Sequence, residues 1–250
     1  MKEQGISRQM RNLMHRGLNR YRYMILAAGA QRRRYQLEDL RSEGYCSQSG
    51  QDKWIVEKLF PGKHKGVFVD VGAFDGITFS NTYVLEKMGW SGLAIEPMPQ
   101  AFEKLVMNRR CVAVNGCVAP ASGRRLYRAI TGYLEMLSAL ADEYDPGHME
   151  RITRDIGIYG GNYIDIEVEC YNLNELLEDH GIRRVDYLSI DVEGLEYRIL
   201  EGLDLSRVHV SVIGVENNFR NFRTPKLMEQ KGFAFHSIVG DEFYLNRAGG

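Results

Sequence analysis

The chain lacks any long apolar run. None approaches the roughly 20 residues that span a bilayer, so no transmembrane anchor is expected. The longest N-terminal run, residues 23–30, is short and is followed at once by Arg32-Arg33-Arg34, so it is read as not cleaved. Cysteine is scarce: Cys46, Cys111, Cys117 and Cys170, with no C-x-x-C and no zinc-like pair. That excludes a disulfide framework and implies reduced thiols in a cytoplasmic setting. An excess of one charge is also missing. A net charge of -1 over 250 residues gives no reason to expect a nucleic-acid partner. Apolar and charged shares of 44% and 26% are ordinary for a soluble globular chain, and the length fits one domain with an extension.

The glycine pattern of a dinucleotide site is absent too. Residues 67–76 read V-F-V-D-V-G-A-F-D-G, a short apolar run followed by Gly72 and Gly76. This predicts a buried strand, a glycine turn and, over residues 80–88, a helix. In G-x-G-x-x-G the second glycine lets a pyrophosphate approach the helix; here Phe74 stands in that place. Asp70 and Asp75 would repel a pyrophosphate, but they suit a ligand with an ammonium and a sulfonium. The next strand, residues 92–95, ends in Glu96, which is placed to accept both hydroxyl protons of a ribose. The residues therefore point to S-adenosyl-L-methionine (SAM) rather than NAD.

The near-zero net charge hides an uneven distribution. Residues 1–41 hold ten basic and three acidic side chains, an excess of +7, against -8 for the remainder. Ile6, Met10, Leu13, Met14, Leu18, Tyr21 and Ile25 recur there at helical spacing, so residues 1–44 are expected to form a basic amphipathic helical extension. Such a helix contacts an acidic membrane surface peripherally, or packs on the domain or on a second subunit.

Beyond it, Ser47 or Ser49 is expected to cap a helix over 52–59, with Gln48 and Asp52 near the mouth of the glycine turn. Helices are expected over 100–109, 149–156, 173–177 (capped by Asn172 or Asn174) and within 222–232. Strand three is read over 111–118, and the loop after it makes Asn115 a cofactor contact by position. Further strands are read over 125–130, 164–171, 185–190 and 208–215, and a closing hairpin over 233–239 and 242–246. His148, in the insertion before strand four, is read as a substrate contact or as a solvated loop residue.

Acids stand at four strand ends: Asp70, Glu96, Asp191 and Glu216. In an open α/β sheet the ligand lies beyond these ends. Asp191 is a candidate general base toward an acceptor hydroxyl. Alternatively Asp191, Glu216 and Asn217 hold a divalent cation such as Mg2+ through oxygen ligands.

Five segments together resemble one family. They are S-Q-x-x-Q-D from Ser47, F-V-D-V-G-A-x-D-G from Phe68, G-W-x-G-x-x-I-E-P from Gly89, Y-L-S-I-D-V-E-G-x-E from Tyr187, and V-E-N-N from Val215. Over residues 45–250 the chain is similar to the FkbM family of SAM-dependent methyltransferases. The resemblance implies a Rossmann-like class I methyltransferase, with a seven-stranded, mostly parallel sheet and an antiparallel last strand. It implies O-methylation of a hydroxyl on a small molecule, sugar or lipid-linked glycan. Asp70, Gly72 and Gly76 would line the methionine side of the cofactor, Glu96 would hold its ribose, and Asp191 would face the methyl and the acceptor. A different class remains open at this level: a catalytically silent module that binds a protein or acidic membrane through its basic N-terminus.

Overall fold

The computed structural model describes residues 20, 24, 31–32, 35–142, 146–217 and 222–248. The basic helix expected over residues 1–44 lies mostly outside these residues, and so does the side chain of His148. No helix among the described residues is long and apolar enough to cross a membrane.

Twelve strands are described: β1 (Gln31–Arg32), β2 (Val67–Val71), β3 (Ser91–Glu96), β4 (Val112–Asn115), β5 (Cys117–Val118), β6 (Gly123–Ile130), β7 (Ala139–Leu140), β8 (Tyr163–Tyr171), β9 (Arg184–Ile190), β10 (His209–Val215), β11 (Phe233–Val239) and β12 (Asp241–Asn246). The main sheet runs β1-β11-β12-β10-β9-β2-β3-β4. β10, β9, β2, β3 and β4 are mutually parallel, and β12 runs antiparallel to both β10 and β11. This is the expected seven-stranded sheet with its antiparallel last strand. The two-residue β1 adds an eighth strand beside β11, so the segment before residue 45 already docks on the sheet edge. Leu40, in the helix Leu37–Ser42, is buried as well.

The central strands are apolar on both faces because helices cover both. Val69, Val71, Leu93, Ile95, Leu188, Ile190, Ile213 and Val215 pack one side, and Phe68, Tyr187 and Val212 pack the other. The chain leaves β2 toward β3 and β4 in one direction, and later returns to β9 on β2's other side. The crevice between the carboxyl ends of β2 and β9 is thus the topological switch point, where such sheets bind ligands.

Three local expectations are corrected. The strand expected over 111–118 is two strands: β4 ends at Asn115, and β5 joins a second sheet of order β5-β8-β6-β7. The break falls at Gly116, where a Cβ would sit 2.5 Å from the Tyr171 ring and 2.6 Å from the Glu169 carbonyl oxygen. The helix expected over 80–88 covers only Tyr83–Lys87, because the Ser80 hydroxyl accepts the N–H of Thr82 and of Tyr83 in a turn. The helix expected over 52–59 is Gln51–Trp54 followed by a π-helical turn, Ile55–Leu59; its N-cap residue is Gly50, and the Ser47 hydroxyl, as expected, accepts a first-turn N–H, that of Asp52, at 3.3 Å.

Candidate active site

A cavity of about 280 Å³ opens at the switch point. The strand ends form its floor, and the second sheet with the segment Gly132–Leu137 forms its roof. Gly72 allows the close fit of β2 against β9. Its φ is +91°, and a Cβ there would lie 1.8 Å from the Asp191 carbonyl oxygen. Three described non-glycine residues have positive φ, Phe74 (48°), Phe79 (56°) and Glu193 (55°), and all three line this cavity. Such conformations concentrate at functional sites, where the surroundings hold them.

At the β3 end, Glu96 lines the cavity and is 4% exposed. Its Oε2 accepts the N–H of Phe74 and its Oε1 the N–H of Met98, both at 2.8 Å. The carboxylate is therefore fixed in orientation, and each oxygen keeps a lone pair for a ligand hydroxyl. Burial pushes its pKa up to about 7, against the two backbone donors. At the β2 end, Asp70 accepts the Thr82 hydroxyl at 2.5 Å. Burial raises its pKa, while the Arg109 guanidinium and the Thr82 bond lower it.

The opposite end is built differently. The Asp191 N–H donates to Val71 O and the Glu216 N–H to Ile190 O, so the two carboxylates stand at neighbouring strand ends. With Glu193 they form a triad whose oxygens lie within 4.8 Å of one another. The Glu196 carboxylate accepts the N–H groups of Val192 and Gly194, which holds the turn that carries Glu193. Burial and the charge of Glu216 raise Asp191 well above the carboxylate range. Burial and the charge of Glu193 push Glu216 up to about 8.

Gln48, Asp70, Gly72, Glu96, Asp191 and Glu216, all expected from the sequence, meet in this cavity. Four other expected residues are committed elsewhere and are not among its lining. Asp52 accepts the N–H groups of Cys46 and Ser47 and the Ser47 hydroxyl, so it braces its own loop. Gly76 faces the helix Pro99–Asn108, where a Cβ would meet Leu105 and Arg109 at 2.7 Å. The Asn115 amide donates to the carbonyls of Glu96 and Pro97. The Asn217 amide nitrogen donates to Glu242 at 2.9 Å, and the acid that joins Asp191 and Glu216 is Glu193.

Sequence reading missed Asn81 and Asp241, which also line the cavity. Asp241 is at the hairpin turn, and its carboxylate accepts from Asn81 Nδ2 (3.0 Å) and Gln51 Nε2 (3.3 Å). Their pairing spans 160 positions, so no local pattern announces it. The only hint was the polar trio Ser80-Asn81-Thr82 just before a helix.

The site fits SAM on its own chemistry. It offers a fixed acid for a ribose, acids rather than cations along the cavity, and a glycine where the chain crosses β9. The description "Methyltransferase FkbM domain" matches residues 70–238. A curated relative, Methyltransferase 1 of Beauveria bassiana, is 28% identical over 200 residues, covering 68% of this chain and 80% of that protein. Among solved structures, a TehB-like SAM-dependent methyltransferase from Corynebacterium glutamicum aligns with 83% of this chain and 90% of its own, at 13% identity and a TM-score of 0.38. With the family match spanning well over half of its length, the chain belongs to the FkbM family of SAM-dependent methyltransferases.

Proposed function

We propose that the chain methylates a hydroxyl group on a small molecule, a sugar or a lipid-linked glycan, with Asp191 as the group that receives the hydroxyl proton. The observation that carries this reading is the convergence of Asp191, Glu193 and Glu216 at one end of the cavity, opposite Glu96. SAM, when bound, supplies an already activated methyl, so the protein's part is alignment, exclusion of water and removal of one proton. Alignment alone can contribute on the order of 7–11 kcal/mol. Glu96 and Gln48 hold the cofactor side. Asp191 and Glu216 share a hydrogen bond that raises the pKa of the first and lowers that of the second, so the pair holds one proton between them; once that proton is lost to solvent, Asp191 takes the one from the hydroxyl.

The three carboxylates also make an oxygen-only donor set of the kind that suits a hard cation such as Mg2+. On this second reading Asp191, Glu193 and Glu216 hold the ion, and its charge lowers the pKa of the hydroxyl. One experiment separates the two readings: an acceptor screen with labelled SAM over phenols, sugars and polyprenyl-linked glycans, run with and without chelator. Transfer to hydroxyls that survives chelation supports the base. Transfer lost on chelation and restored by Mg2+ supports the ion. Transfer to nitrogen or carbon acceptors, with none to hydroxyls, rejects O-methylation.

A further inference from the structure

The hairpin β11–β12 brings Asp241 into the cavity wall, 6% exposed, as a carboxylate without a cationic partner among the described residues. Two amides, from Gln51 and Asn81, are its hydrogen-bond donors. Asn81 is held by this contact and by Ser189 Oγ at 3.3 Å through the same Nδ2, and its Oδ1 has no hydrogen-bond partner. The amide cannot turn over to satisfy Oδ1, because that would set an oxygen against the carboxylate. A buried carboxylate beside a buried orphan acceptor is an incomplete arrangement. What completes it is a group with a positive charge and several N–H donors.

Asp70, the acid expected on the methionine side, is a poorer candidate for that role. It already accepts from Thr82 and sits in the field of Arg109. The residues named as lining the cavity include no Lys, Arg or His to neutralise Asp241. Both Gln51 and Asp241 lie outside the segment 70–238 that matches the family.

We propose that Asp241, steadied by Gln51 and Asn81, is the receptor for the α-ammonium of the methionine moiety of SAM. The C-terminal hairpin is thereby part of the cofactor site, and Asp241 and Asn81 select a ligand with an intact amino-acid end. This deepens the assignment of the cavity to SAM and is independent of which acceptor is methylated.

The test is calorimetric titration of the full chain, without acceptor, using S-adenosylhomocysteine, its desamino analogue and 5′-methylthioadenosine, which lacks the amino-acid part. In the unaltered protein the desamino analogue is expected to bind at least tenfold more weakly than S-adenosylhomocysteine; equal affinities would overturn the proposal. Asp241→Asn is expected to lose that tenfold for S-adenosylhomocysteine while 5′-methylthioadenosine binds as before. Unchanged binding of the first, or parallel loss of both ligands, would overturn it as well. The comparison within the unaltered protein stands even if Asp241→Asn fails to fold. Failure of O-methylation in the acceptor screen leaves these affinities untouched.

Discussion

The two ends of the cavity carry the same side-chain chemistry in different arrangements. At the β2–β3 end, Asp70 and Glu96 are carboxylates already supplied with donors: a threonine hydroxyl for one, two backbone N–H groups for the other. At the β9–β10 end, Asp191, Glu193 and Glu216 bring three carboxylate oxygens within 4.8 Å of one another. Donors fix a carboxylate in place and keep it as an acceptor, which is what a binding site needs. Mutual repulsion leaves a carboxylate eager for a proton or a cation, which is what a reacting site needs. The two ends should therefore respond differently to substitution, one in affinity and the other in turnover.

The largest effect is expected at the reacting end. Asp191→Asn should lower kcat by roughly 10²- to 10⁴-fold, the range of a lost general base, while the dissociation constant for SAM stays within about twofold. Radiometric turnover and calorimetry on the same preparation check this. If turnover persists, Asp191 is neither base nor ligand, and the contrast between the ends collapses.

At the binding end, Glu96→Gln should weaken SAM by about tenfold or more, since hydrogen bonds to a charged acceptor contribute about 1.5–3 kcal/mol each. The same group sets a pH dependence. With its pKa near 7, Glu96 in the free protein is largely protonated at pH 6 and ionised at pH 8. Ionised, it accepts both ribose hydroxyls; protonated, it loses acceptor capacity. Affinity should therefore rise about tenfold from pH 6 to pH 8, and Glu96→Gln should flatten that profile.

Stability should run the other way. Glu96, Glu216 and Asp241 hold their protons more tightly folded than unfolded, with folded values of about 7, 8 and 6. Their contribution is present at low pH and is lost as pH rises through that window. The ligand-free protein should melt higher at pH 6 than at pH 8, and saturating SAM should shrink the difference. The smallest effect belongs to Asn217→Ala. Its amide nitrogen donates to Glu242, so turnover should change by less than about threefold.

Much of this site was legible because strand-ending acids are local features. An apolar run that stops at Asp70, Glu96, Asp191 or Glu216 announces both the strand and the group at its tip. Three polar residues misled for an equally local reason: Asp52, Asn115 and Asn217 stand near the mouth, but their hydrogen bonds go to neighbouring backbone or to Glu242. Asn81 and Asp241 were hidden because tertiary folding alone unites them. The left-handed turns at Phe74, Phe79 and Glu193 were hidden because none of these residue types favours that conformation. The two-strand break at Gly116 was masked by apolar alternation that runs straight through it.

The division between a binding end and a reacting end is tested most directly by titrating SAM into Glu96→Gln and Asp191→Asn side by side with the unaltered protein. The account predicts affinity reduced about tenfold or more in Glu96→Gln and unchanged affinity in Asp191→Asn. Equal losses in both variants, or a loss confined to Asp191→Asn, would contradict it.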